Sequence, residues 1–156
     1  MTIANKPVVT VAALMMVLYL LVAEYDANQF LLLHFFESII YLIIILLFFY
    51  LEDRFGYALG ILIPAVWIAL NSVAGVMVPA GLRELGRVLT LQSVGNPVGL
   101  LAGLILLTGI LLIILSWRAL RREIVGTPYL RSTLLVGGAI TVVYYVIVGF
   151  LFVGAY

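Results

Sequence analysis

The sequence predicts an all-α, polytopic integral membrane protein, a single transmembrane helical domain over residues 1–156. Three observations predict it. Of its 156 residues, 66% are hydrophobic and only 10% are charged, whereas soluble domains carry about a quarter charged residues. The apolar residues gather in five runs, each long enough to cross a bilayer as a helix rising about 1.5 Å per residue. No run alternates with period two, which argues against a β-barrel.

The first span is expected over 7–23, short but within the crossing range. It reads as a span rather than a cleaved leader, because Lys6 is the only cation before it and position 21 is leucine, not a small residue. The link 24–29 is polar, and the second span follows over 30–51. A tight charged hairpin, 52–56, leads into the third span, 57–79, so spans two and three are expected to be antiparallel neighbours. Pro64 inside the third span removes one backbone donor and leaves carbonyls available nearby. Pro64, Trp67, Asn71 and Gly75 share one face, which is expected to pack inward.

The connection 80–95 is the longest. Within it Leu82, Leu85, Val88 and Leu89 recur at helical spacing with Arg83, Glu84 and Arg87 between them, the pattern of a short amphipathic interfacial helix. Asn96 and Pro97 mark the start of the fourth span, 97–117: asparagine caps and proline suits a first turn. Gly95, Gly99 and Gly103 place a small residue every fourth position, a close-packing ridge that serves intramolecular packing or a homodimer. The basic link 118–132 is broken by Gly126 and Pro128, and the fifth span is expected over 133–156.

Lysine and arginine set the expected orientation. One side holds Lys6, Arg54, Arg118, Arg121, Arg122 and Arg131, and the other holds only Arg83 and Arg87. The positive-inside rule then puts the N-terminus in the cytoplasm and the C-terminus outside. The expected location is a multi-pass cell membrane of the prokaryotic inner or plasma type, with the lipid bilayer as partner and a homo-oligomer or larger membrane complex in view. No basic block points to nucleic acid.

The chemistry-bearing residues converge on the second span. His34, the only histidine, falls with Glu37, Ser38 and Tyr41 on one narrow face at about 100° per residue. Every other residue from 30 to 51 is aliphatic or aromatic. An ionisable group at membrane depth costs several kcal/mol, so this face must meet protein or water. Asn71 and Ser72 lie at a matching depth on the third span, and Tyr144 and Tyr145 fall near the middle of the fifth. The expected site is therefore a polar cluster of His34, Glu37, Asn71 and Ser72 in the outer half of the bilayer, completed by Ser38, Tyr41 and Tyr145. The simpler alternative is that these groups only hydrogen-bond between helices and fix their packing.

Other chemistry is weakly served. With no cysteine, thiolate metal sites, Fe–S clusters and disulfides cannot form within the chain. His34 and Glu37 have the i, i+3 spacing of helical carboxylate metal sites, but no other spanning run offers a second histidine or carboxylate. A lone histidine cannot supply both axial ligands of a haem. No cofactor and no metal is expected. Size and helix number are similar to the translocator family, but Trp67 and Trp117 are the only tryptophans, so no family is assigned. The short links leave no room for a soluble catalytic domain. The expected function is binding or assembly, as an accessory subunit or a sensor of an apolar ligand. Its rivals are a proton-coupled transporter or channel that uses Glu37 as an oligomer, and a membrane subunit of a redox complex.

Overall fold

The computed structural model describes residues 5–25, 30–50, 53–123 and 128–154. These form six helices and no strand: α1 Lys6–Tyr25, α2 Leu31–Phe49, α3 Asp53–Ala74, α4 Met77–Leu89, α5 Pro97–Glu123 and α6 Tyr129–Gly154. All except α4 are long and apolar enough to cross a membrane, the make-up of a multi-pass membrane protein.

Helix α1 lies between α2 and α5, and α3 closes the group by packing against α5 and α2. Helix α6 lies outside it, against α3 and α2, and α4 lies across α5. Contacts at the two ends fix the directions. The Asn5 amide donates to Asp53 Oδ2 at 2.7 Å, and the Tyr57 hydroxyl, hydrogen-bonded to Asn5 Oδ1, also reaches Glu123 Oε1 at 2.9 Å. The starts of α1 and α3 thus meet the end of α5. At the opposite end Phe30, before α2, stacks on Phe152 near the end of α6, with ring centroids 5.8 Å apart. We call this second end, which carries α4, the α4 end.

Helix α2 turns its polar residues inward beside apolar ones and leaves an apolar face outside. On α2 the buried face holds His34, Glu37, Ser38 and Tyr41, together with Leu33, Ile40, Ile44 and Phe48. Its exposed face is Leu32, Phe35, Leu42 and Phe49. Lipid accepts apolar side chains, but a polar group must be satisfied inside the protein. The α3 face expected to turn inward does so at Pro64 and Trp67, which are buried, and partly at Asn71, whereas Gly75 lies beyond the helix end and is exposed.

Element ends depart from expectation where a local stop or start overrides hydropathy. The third span was expected to run to 79, but α3 ends at Ala74 and Gly75 takes the left-handed conformation, φ 70°. Glycine there closes the helix, and an apolar run does not reveal such a stop. The remaining apolar residues begin α4, whose first turn tolerates Pro79. Helix α5 continues beyond 117 to Glu123, so Arg121 and Arg122 occupy its last turn, where cations suit the dipole. Helix α6 starts at Tyr129 rather than 133. Residue 51 of the expected second span and residues 155–156 of the fifth lie outside the described residues.

Candidate functional site

A cavity of about 550 Å³ occupies the α4 end, and all six helices contribute to its lining. His34 and Glu37 stand on its wall, 4% and 6% exposed. The imidazole Nδ1 lies 2.8 Å from Glu37 Oε2, the reach of one helical turn between i and i+3. With Nδ1 protonated, the imidazole donates to the carboxylate. Such a pair satisfies part of the acid's hydrogen-bonding need without water.

The other expected members divide. Asn71 lines the cavity, its amide donating to Trp67 O at 3.0 Å. Tyr145 lines it too, and its hydroxyl donates to Ile63 O at 2.7 Å. Ile63 precedes Pro64, so this hydrogen bond joins α6 to the α3 backbone beside the proline. Ser38 and Tyr41 are buried but outside the lining. Ser38 turns back on its own helix, donating to Phe35 O at 2.6 Å, while Tyr41 stacks on Tyr19 with centroids 5.5 Å apart. Ser72 does not join the cluster. It is exposed, because one residue rotates the side chain about 100° around α3 from Asn71.

Aromatic rings make up much of the remaining wall. Tyr19, Phe30, Trp67 and Phe152 line the cavity with Tyr145, and Tyr19 meets Trp67 edge to face at 6.4 Å. Hydropathy could not single these out, since aromatic residues are common throughout spanning helices. The i, i+4 relation of Trp67 to Asn71 was the one available signal.

Helix α4 encloses one side of the cavity through Met77 and Ala80, and small residues let it lie close. A Cβ placed on Gly81 would stand 2.6 Å from Gly103 N, and one on Gly103 would stand 2.8 Å from Gly81 O. The two backbones are therefore in direct contact, which only glycine allows. Gly99 faces Glu84 in the same way, with a Cβ at 3.1 Å from its Cγ. Gly99 and Gly103 thus pack against α4 of the same chain. Gly95 precedes α5, and its N–H donates to Glu84 Oε2 at 2.9 Å.

Glu84 was read as part of a polar helix face, but it is only 1% exposed. Arg87 Nη1 donates to it at 3.2 Å, and Arg83 Nε lies at 3.8 Å. The Gly95 N–H holds its carboxyl below the ordinary carboxylate value against the opposing pull of desolvation, and the Asn96 N–H and Arg87 add to the lowering. Asn96 caps α5 as expected, accepting from Gly99 N at 3.0 Å. One first-turn N–H of α5 is thereby satisfied by a protein group.

The fold and site define an α-helical multi-pass membrane protein with a mostly apolar pocket that holds a histidine–carboxylate pair. Comparison with protein-family models, curated proteins and solved structures finds no match.

Proposed function

We infer that this protein binds a small, largely apolar molecule in the cavity at the α4 end, with His34 and Glu37 reading the molecule's polar group. One observation carries the reading: the only histidine–carboxylate pair among the described residues stands on the wall of a cavity of about 550 Å³. Small-molecule sites occupy about 300–1,000 Å³ and combine apolar walls with a few convergent polar groups.

The positive-inside rule supports an orientation with the α4 end outward and the N-terminus in the cytoplasm. In that orientation α4 lies in the outer interface. Leu82, Leu89 and Leu91 are 56%, 84% and 96% exposed and would face acyl chains, and the lipid bilayer is the surrounding partner. The binding reading suits a sensor or an accessory subunit. Proton-coupled transport is the second reading, favoured by the same placement of a carboxylate in the cavity wall.

Binding is tested with N-phenyl-1-naphthylamine, a neutral apolar fluorophore, added to purified Trp117→Phe protein so that Trp67 is the sole energy donor. Saturable energy transfer is expected, and Gly149→Phe, which keeps Trp67 the sole donor, should weaken it at least about tenfold. Gly149 lines the cavity, and a Cβ there meets nothing within 4 Å, so the added ring is accommodated without displacing backbone. Transfer that never saturates, or that Gly149→Phe leaves unchanged, contradicts the reading. In proteoliposomes, ligand-driven proton movement abolished by Glu37→Gln would establish the transport reading, and its absence would leave binding alone.

A further inference from the structure

We propose that the cavity at the α4 end is selective for lipophilic cations, an organic ammonium or phosphonium whose positive centre sits against Glu37 and aromatic rings. The inference rests on the reading of this cavity as a binding site, and it names the ligand's charge.

The described lining is unbalanced in charge: among its residues Glu37 is the one acid, and none is lysine or arginine. Among the described residues the cations at this end are Arg83 and Arg87. Both arginines are turned to Glu84, at 3.8 and 3.2 Å.

The helix terminus beside the cavity would by itself attract an anion. Residues Asn96, Val98 and Gly99 at the start of α5 line the cavity, and such an N-terminus favours negative charge. Its Gly99 N–H is already given to the Asn96 side chain, and the Gly95 N–H just before it to Glu84. Glu84 thus draws on the positive features of this end, and Glu37 is the acidic group of the described lining.

The wall is aromatic: Tyr19, Phe30, Trp67, Tyr145 and Phe152 line the same mostly apolar cavity as Glu37. Ring faces attract a cation most strongly where it is desolvated, with tryptophan the best of them. A small hydrated ion would lose its water there without recompense, whereas a bulky organic cation is weakly hydrated and brings its own apolar surface. His34 fits the same role. Its Nδ1 lies 2.8 Å from Glu37 Oε2 and holds the carboxyl group in place on the wall.

Tetraphenylphosphonium and tetraphenylborate, near-isosteres of opposite charge, provide the test. Each is titrated against Trp67 fluorescence of the Trp117→Phe protein, with N-phenyl-1-naphthylamine as the neutral reference. The cation is expected to bind at least about tenfold more tightly than the anion. Glu37→Gln should abolish that preference and Glu37→Asp should retain it. If the neutral probe binds but the two ions bind alike, or the anion binds more tightly, the charge inference is overturned and the binding reading stands. If none of the three binds saturably, both fall. The wild-type comparison of the two ions decides the question even if Glu37→Gln fails to fold.

Discussion

A carboxylate at membrane depth persists only where its charge or its proton has a partner. Glu37 has His34 at 2.8 Å, and the two depend on each other. Removing one member of a buried pair leaves the other uncompensated, whereas replacing both with apolar residues of similar volume is often nearly neutral. His34→Leu is therefore expected to destabilise the protein by about 3 kcal/mol, and His34→Leu with Glu37→Leu should recover most of that loss. Thermal unfolding in detergent measures both. A double variant no more stable than the single one would mean that the pair is not the interaction that keeps Glu37 buried. The pair itself was legible in the sequence, because an ionisable residue in an apolar run contrasts with everything around it. Tyr19, Phe30 and Phe152 were not legible: an aromatic residue in a spanning helix looks the same whether it meets lipid, core or cavity. Ser72 failed for a different reason, since matching depth places two residues on one level but says nothing of facing.

At the scale of elements, α4 shows what hydropathy reads and what it misses. Its helical spacing was visible, and Leu82 and Leu89 are exposed as an apolar face turned from the bundle would be. Its attachment was hidden. A glutamate between two arginines reads as a solvated face, yet Glu84 is buried because the loop 90–96 returns over it and gives it the Gly95 N–H. That depends on tertiary structure, not on local pattern. The end of α3 was equally hidden, since a left-handed Gly75 is a single-residue event within an apolar run. The lowered pKa of Glu84 has a definite sign: its stabilising contribution is complete above the ordinary carboxylate value and is lost as pH falls through the lower folded value. Hydrogen exchange, corrected for intrinsic rate, should thus show the amides of 77–99 losing protection in acid before those of α1. In Glu84→Gln that difference should already exist at neutral pH. Equal acid sensitivity in α1 and α4 would contradict the assignment.

For the molecule as a whole, the five spanning helices were predicted with their order, and their ends moved by a few residues where caps and basic last turns intervene. The network of Asn5, Asp53, Tyr57 and Glu123 ties one end together, and the cavity opens the other. The charge distribution predicts which end faces outward. Because the chain contains no cysteine, single introduced cysteines report topology without background. In intact cells Leu91→Cys should react with an impermeant maleimide, and Arg122→Cys should react only after permeabilisation. The reverse pattern would invert the orientation and place the cavity on the cytoplasmic side.

The central claim is that the α4 end holds a ligand within the bundle. Photolabelling with a neutral alkyl diazirine alcohol in lipid nanodiscs, followed by peptide mapping, tests it most directly. The cavity predicts label on Leu33, Leu70 and Val148, which line it, and displacement of that label by excess unlabelled alcohol. Label confined to outward-facing residues such as Leu135 and Val142, which are both 65% exposed, with no displacement, would contradict it.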